Sequence, residues 1–230
     1  MSGDARNKRQ MNIAENIYQL RLELPDSVRL LAVSKFKSES VIMEAYLAGQ
    51  RIFGENRVQE LLLKYEHLPK DIEWHFIGHL QANKVKYIAP FIHTIQSVDS
   101  LKLAETVNKE AIKCNRKIRV LFQIHIAQEE QKFGFSYNEI ENLLKNDAFS
   151  SMKNLEIAGL MGMATLTDNE IQIHNEFNRL NNFFQFLKTG YFSGNNSFNE
   201  LSIGMSDDYQ IAVKEGSTMI RIGSKVFGLR

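Results

Sequence analysis

Two patterns of hydrophobic and polar positions alternate along the chain. Short apolar runs rich in β-branched residues are typical of buried strands, and longer stretches with apolar residues at every third or fourth position are typical of amphipathic helices. Runs of the first kind are found at residues 29–34, 51–54, 73–78, 91–98, 118–126, 155–163, 200–204 and 219–223. The sequence therefore predicts eight strands separated by helices.

The predicted helices carry recognisable start and stop signals. Residues 38–49 open with serines and end on Gly49, as helices commonly do. One further helix, at about residues 5–23, precedes the first strand. The other stretches with apolar residues at helical spacing are 100–114, 137–146 and 170–190.

Eight strands alternating with helices over about 200 residues predict a single (β/α)8 TIM barrel near its minimal size, with an extra N-terminal helix. A doubly wound open sheet is the competing layout, but its usual G-x-G-x-x-G fingerprint after the first strand is absent. No linker rich in proline, glycine or serine divides the chain, so residues 1–230 are expected to form one domain.

The charge, the cysteine count and the lengths of the apolar runs indicate which partners and which compartment to expect. A formal charge of +1 gives no general reason to expect binding to nucleic acid or to an anionic membrane. Cys114 is the one cysteine, so no intramolecular disulfide can form, and this favours a reducing compartment. The start has no apolar signal region, and no apolar run reaches the roughly 18 residues that a spanning helix needs. We therefore expect a soluble, cytoplasmic protein.

Polar residues recur where the predicted strands end, which is where barrels carry their functional groups. Lys35 ends the first strand. It is either a surface lysine in water or an amine in a half-buried pocket, where desolvation and a positive neighbour such as Lys37 make it nucleophilic toward aldehydes.

The last two strands end in segments that suit an anion. Ser206 is either the N-cap of a helix or a phosphate ligand, and Gly223-Ser224 lie between a strand and a short helix, where backbone N–H groups can approach an anion. Barrels often bind phosphate between these two loops. Arg221 lies inside an apolar strand and should meet either an acceptor within the protein, as in a structural ion pair, or a ligand.

No metal site is expected from the sequence. His75 and His79 are four residues apart, but they straddle a predicted strand and a loop, and no H-E-x-x-H motif is present. The single cysteine does not complete a set of zinc ligands. We expect Cys114 to be a half-buried thiol on a helix.

Six motifs follow one another at characteristic spacing: AVSK, FGENRVQE, WHFIGHLQANK, GLMGMA, GMSDD and GSTMIRIGSKVFG. They closely resemble the pyridoxal phosphate homeostasis protein family from about residue 30 to residue 230. The resemblance implies a single barrel similar to the N-terminal domain of alanine racemase, with pyridoxal 5′-phosphate (PLP) as its cofactor.

The resemblance also implies the cofactor-binding residues, which are Lys35, Asn56, Met205, Ser206, Arg221, Gly223 and Ser224. Lys35 would form the Schiff base with PLP, Arg221 would face the pyridine nitrogen, and Asn56 would lie near the ring. The phosphate would be held by the remaining four residues, with Met205 contributing largely through its backbone. The family often has threonine in place of Ser224, and serine keeps the hydroxyl group.

Three functions from different classes are compatible with these residues. The first, and the one that the resemblance favours, is a non-catalytic, monomeric carrier that sequesters PLP inside the cell and releases it to apo PLP-dependent enzymes. The second is a racemase-like PLP enzyme. Racemases of this type take a tyrosine base from a second domain, for which a chain ending at Arg230, seven residues beyond the last predicted strand, leaves no room. The third is a cofactor-free barrel enzyme with Lys35 as an aldolase-type amine.

Overall fold

The structure is a computed structural model that describes residues 12–128 and 133–228. Its strands are β1 (Arg29–Val33), β2 (Ile52–Glu55), β3 (Glu73–Phe76), β4 (Thr94–Val98), β5 (Ile118–Ile124), β6 (Leu155–Gly162), β7 (Glu200–Ser202) and β8 (Met219–Ile222). Its helices are α1 (Ile13–Glu23), α2 (Glu39–Leu47), α3 (Val58–His67), α4 (Val85–Ile88), α5 (Leu101–Lys113), α6 (Tyr137–Lys145), α7 (Glu170–Thr189), α8 (Tyr209–Lys214) and α9 (Ser224–Phe227), with a 3-10 turn at Ala82–Lys84.

The strands form a closed parallel barrel in chain order. Each strand pairs with the next, and β8 returns to β1 with Leu30 opposite Ile220 and Ala32 opposite Ile222. This confirms the predicted (β/α)8 barrel and rules out the doubly wound open sheet. The strand sequences are continuous apolar runs because both faces of the parallel sheet are buried. The helices cover the outer face, and side chains in the barrel interior cover the inner face.

The extra N-terminal helix is confirmed over the part that the structure describes. It begins at Ile13, where Asn12 and Glu15 form a capping box, and the predicted residues 5–11 lie outside the described part. Helix α1 buries Ile17 and Leu20 against the barrel. It packs against α9 and α2 on the outside of the barrel.

A column of buried polar side chains crosses the interior of the barrel. Arg221 Nη1 donates to Ser202 Oγ (2.8 Å), and the Ser202 hydroxyl donates to Gln96 Oε1 (2.7 Å). Gln96 Nε2 lies 2.8 Å from His75 Nδ1. Because β7 and β4 are not neighbours in the sheet, the Ser202–Gln96 bond must span the interior. Buried polar groups need such partners to offset their desolvation.

No helix in the described ranges, 12–128 and 133–228, has the length and apolar character needed to cross a membrane.

Candidate functional site

A cavity of about 480 Å³ opens at the carboxyl ends of β1, β7 and β8, and we call it the mouth cavity. Its wall contains six of the seven residues that the sequence predicts for cofactor binding. The lining residues are Val33, Lys35, Lys37, Met205, Ser206, Asp207, Arg221, Gly223, Ser224 and Gly228. Three separate segments of the chain thus meet in one place.

Lys35 follows β1 directly, and its side chain is half-buried in the mouth cavity. Its ammonium group has no hydrogen-bond acceptor and no carboxylate partner within the described residues. It sits in a tight turn that the Lys37 N–H closes by donating to the Ser34 carbonyl (3.0 Å). The next residue, Phe36, has a φ of 61°, which is strained for an aromatic side chain. The turn directs the free amine of Lys35 into the mouth cavity. A lysine that only contacts water at the surface would not need such a turn.

A buried ion pair anchors the strand end that carries Lys35. Lys64 Nζ donates to Glu55 Oε1 (2.7 Å) and to the Ser34 carbonyl (2.9 Å), and Ser34 Oγ donates to the same carboxylate oxygen (2.6 Å). Burial raises the pKa of Glu55, which Lys64 and Ser34 counteract. Sequence reasoning missed this group, although Lys64 lies at helical spacing from the buried Leu61.

Arg221 is 4% exposed and binds the protein through neutral oxygens. Its guanidinium donates to the Ser202 carbonyl (2.7 Å), the Ser202 hydroxyl (2.8 Å) and the Gly162 carbonyl (2.9 Å). No ion pair to Arg221 is found among the described residues. The structural ion pair considered from the sequence is therefore absent from this part of the chain. Burial lowers the pKa of Arg221 to about 10, an effect that Asp208 opposes, so the group stays a cation at pH 7.

The loop after β7 corrects one prediction. Ser206 is not a helix N-cap, because α8 begins only at Tyr209 with Asp208 as its cap residue. Asp208 Oδ1 instead accepts a hydrogen bond from the Met205 N–H (2.6 Å) and shapes the turn. Burial raises the pKa of this carboxyl. Ser206 is left free to line the mouth cavity, and its N–H has no acceptor among the described residues.

The loop after β8 leaves room for a ligand. A Cβ at Gly223 would meet Val33 at 3.5 Å or more, which is ordinary contact, so packing within the chain does not require glycine there. At Gly204, by contrast, φ is +96° and a Cβ would lie 2.6 Å from Ala212 Cβ. The Ser224 N–H has no acceptor in the described part of the chain. Free N–H groups, hydroxyls and an open wall form a cradle that fits a phosphate group.

Asn56 is the predicted residue that the structure does not place on the wall of the mouth cavity. It follows β2, and its Oδ1 is buried without a hydrogen-bond partner. Its backbone touches Gly78 so closely that a Cβ there would meet the Asn56 carbonyl at 2.3 Å. A role for Asn56 near the cofactor stays a prediction.

The two histidines considered from the sequence have different partners. His79 Nδ1 lies 3.1 Å from Asp99 Oδ2, and its ring stacks on Phe133. His75 is fully buried inside the barrel, where burial holds its pKa well below the usual range. Cys114 ends α5 as a half-buried thiol, as expected.

Comparison with known proteins gives relatives over nearly the whole chain. The family described as "Alanine racemase, N-terminal domain" matches residues 9–230. The pyridoxal phosphate homeostasis protein of Haemophilus influenzae is 39% identical over 208 residues, which are 89% of this chain and 86% of the relative. The protein of that name from Escherichia coli strain K12 is 36% identical over 233 residues, covering 95% and 97% of the two chains.

Solved structures share the fold. PipY of Synechococcus elongatus, in a structure described as having PLP bound, is 37% identical, with a TM-score of 0.85 over 94% of this chain and all of that one (100%). An alanine racemase of Clostridium difficile is 16% identical, with a TM-score of 0.73 over 95% of this chain and 56% of the racemase. At that identity the racemase supports the fold alone.

Proposed function

The chain belongs to the family of pyridoxal phosphate homeostasis proteins, and we propose that it binds PLP in the mouth cavity and serves intracellular PLP homeostasis. The observation that carries this proposal is the meeting of a free amine, a buried cation and a phosphate-sized cradle in one cavity. Each group matches one part of the cofactor, which has an aldehyde, a pyridine ring and a phosphate.

Lys35 is proposed to hold the cofactor covalently. Its amine would condense with the aldehyde of PLP and release one water, forming a Schiff base. The absence of a carboxylate or acceptor at its ammonium group, within the described residues, supports this role, because no internal interaction has to be broken. The anchor formed by Glu55 and Lys64 would keep the strand end fixed while the cofactor enters and leaves.

The loops after β7 and β8 are proposed to hold the phosphate. Ser206 and Ser224 offer hydroxyl groups and free N–H groups, and Gly223 leaves the approach open. Lys37 adds a positive charge on the same wall, and its Nζ also donates to the Phe227 carbonyl at the end of α9 (3.4 Å). A dianion would thus meet fixed donors and a cation.

Arg221 supports a non-catalytic role. Bound PLP supplies a reactive aldehyde and a ring that accepts electrons best when its nitrogen is protonated. A guanidinium facing that nitrogen disfavours its protonation by like-charge repulsion. Among the described residues that line the mouth cavity, none is histidine or tyrosine, and the groups there that could carry a proton are Lys35, Lys37 and Asp207. We therefore propose a carrier rather than a racemase-like enzyme.

An absorption spectrum tests the proposal. After loading with PLP and removal of free PLP by gel filtration, the protein should keep a yellow absorption band, and Lys35→Ala should lose it. Lys37→Ala is the matched control, because it removes another lysine from the same wall. It should weaken only the hold on the phosphate and should keep the band when the protein is loaded at saturating PLP. A protein that is colourless after the same loading and gel filtration would overturn the proposal and favour a cofactor-free barrel enzyme. A band that persists in Lys35→Ala would overturn the role of that lysine.

The destination of the cofactor is part of the proposal. We propose that apo PLP-dependent enzymes take up PLP from this protein, which a mixture of the loaded protein, an apoenzyme and a scavenger of free PLP would test. Recovery of enzyme activity despite the scavenger supports direct transfer, and no recovery excludes it. The monomeric state and the cytoplasmic location stay predictions, to be checked by size-exclusion chromatography and by cell fractionation.

A further inference from the structure

A second cavity, of about 770 Å³, opens at the other end of the barrel, where the strands begin. Glu73 and His93 line it, and His75 lies beside them on β3. One donor atom from each of these three residues lies within 4.8 Å of the others. Within residues 12–128 and 133–228 this is the one such group of three, and we call it the Glu73–His75–His93 cluster.

Both imidazole rings of the cluster have their Nδ1 atoms engaged by neighbouring side chains. His93 Nδ1 lies 2.8 Å from Thr94 Oγ1, and His75 Nδ1 lies 2.8 Å from Gln96 Nε2. The Nε2 atoms are therefore the ones left for another partner. His93 Nε2 is 3.8 Å from Glu73 Oε2.

His75 Nε2 has no partner at all in the described part of the chain. The residue is 0% exposed, and this nitrogen is buried without a hydrogen bond. Leaving a buried polar atom unpaired is unfavourable, because the atom has lost its water without gaining a partner. A fixed, buried nitrogen next to a second imidazole and a carboxylate indicates a missing ligand.

We propose that the Glu73–His75–His93 cluster binds a divalent transition metal, with zinc as the best match. Two imidazoles and one carboxylate form a known set of ligands for open zinc sites, which keep a further position for water. That position would face the cavity at the strand starts. Thr94 and Gln96 would act as the outer partners that orient metal-binding histidines. The sequence predicts no metal site because His75 and His79 straddle a strand and a loop, whereas the partners of His75 in this cluster come from β3 and from the residue before β4.

Completing the site requires the His93 ring to turn, because it now stacks on the His75 ring with the centroids 5.3 Å apart and an angle of 11° between the planes. Donor atoms on one tetrahedral zinc are about 3.3 Å apart, closer than the cluster holds them now. The side chains of Glu73 and His93 are 39% and 41% exposed and can move, whereas His75 is fixed by burial. For His75 Nε2 to bind the metal, its proton must sit on Nδ1. After a half-turn of the Gln96 amide, Oε1 would accept a hydrogen bond from that Nδ1–H, and the Ser202 hydroxyl would accept from the amide nitrogen instead of donating to Oε1.

Two of the arginines near the cluster have carboxylate partners that compensate their charges, whereas Arg116 on the same wall donates to the Ala89 and Ile92 carbonyls. Arg29 is paired with Glu200 (2.7 Å), and Arg119 is paired with Glu156 (2.6 Å) and with Glu200 (3.1 Å). One oxygen of Glu200, Oε1, is also buried without a partner. The wall therefore carries no uncompensated positive charge from these two residues.

Equilibrium dialysis against zinc ions tests the proposal, and cobalt ions then report the geometry through their visible bands. We expect one zinc ion per chain, with four-coordinate cobalt bands, and His93→Ala and Glu73→Gln should each lower the affinity at least about tenfold. His67→Ala is the matched control. It removes an exposed histidine that also lies 2.8 Å from a carboxylate, that of Glu39, and should change nothing.

Two further measurements keep the test decisive. Lys35→Ala should bind zinc as the unchanged chain does, which separates this site from metal chelation by PLP in the mouth cavity. Circular dichroism without metal should show that the His93→Ala and Glu73→Gln chains are folded. Zinc binding that both variants retain at full strength, or no zinc binding by the unchanged chain, would overturn the proposal.

Discussion

At the scale of single residues, the most constrained charges near the mouth cavity are the two that form the buried ion pair. Glu55 and Lys64 have side chains that are 0% and 8% exposed, and they share Ser34 as a third partner. A buried ion pair adds little net stability over an apolar pair, but removing one partner leaves an uncompensated charge in the interior. The pair therefore fixes the geometry of the strand end more than it stabilises the fold.

Replacing Lys64 alone should be strongly destabilising. Lys64→Met leaves the Glu55 carboxylate buried without its cation, and we expect a loss of about 3–5 kcal/mol in the free energy of unfolding. The double variant Glu55→Gln/Lys64→Met removes both charges and should lose clearly less. Denaturant unfolding measures both values. Equal losses in the single and double variants would contradict the account of a buried pair.

The sequence allows some residues of the candidate site to be predicted, but not all of them. Lys35, Arg221, Gly223 and Ser224 could be found because strand ends are visible in the hydrophobic pattern and because the motifs are specific. Glu55 and Lys64 could not, since each reads as an ordinary charged residue until the barrel brings them together. Their burial is a property of the tertiary structure and leaves no local signal.

At the scale of elements, the predicted strands are all present, but their ends moved where turns compete. The run at residues 91–98 becomes a strand only at Thr94, because the N–H groups of Phe91 and Ile92 bond back to the Ile88 carbonyl and extend the helical turn. Likewise α8 begins at Tyr209, because the Asp208 side chain closes a turn before it. Propensity alone does not decide between such neighbouring hydrogen-bond patterns.

Helix α1 braces the elements that follow the phosphate loops. Asn16 Nδ2 donates to the Val226 carbonyl of α9 (3.0 Å), and the Tyr209 hydroxyl at the start of α8 donates to Glu23. Burial and this carboxylate raise the pKa of Tyr209 to about 12. One helix thus contacts both of the short helices that present the proposed phosphate ligands.

Removing a contact between α1 and α9 should weaken the binding of PLP only through its phosphate group. Asn16→Ala removes one hydrogen bond to α9, worth about 1 kcal/mol, so we expect PLP affinity to fall by at most about fivefold. Pyridoxal, which lacks the phosphate, should bind the variant as it binds the unchanged chain. Gln19→Ala, at an exposed position of the same helix, is the control. An equal loss of affinity for both compounds in Asn16→Ala would contradict a role at the phosphate.

At the scale of the whole molecule, closure of the barrel forms the mouth cavity at one end and the cavity at the strand starts at the other. The polar column from Arg221 through Ser202 and Gln96 to His75 joins the mouth cavity to the cavity at the strand starts. The sequence predicted the barrel but not this column, because its members lie on strands that are distant in the chain. Only the closed sheet brings β4 and β7 to face each other.

Cofactor binding should stabilise the whole barrel by mass action. At a free PLP concentration one hundred times Kd, the folded state gains about 2.7 kcal/mol. For a chain of this size that corresponds to a rise in Tm of roughly 5–10 °C. Differential scanning calorimetry measures it, and Lys35→Ala should show a much smaller rise. A Tm independent of PLP would contradict binding to the folded barrel.

The measurement that tests the central claim most directly is borohydride reduction of the PLP-loaded protein followed by peptide mass mapping. Reduction makes a Schiff base permanent, so the mass of the cofactor stays on the lysine that held it. The account predicts that this mass is found on the peptide that contains Lys35, and that it persists there in Lys37→Ala. A cofactor mass on another lysine, or no fixed cofactor at all, would contradict it.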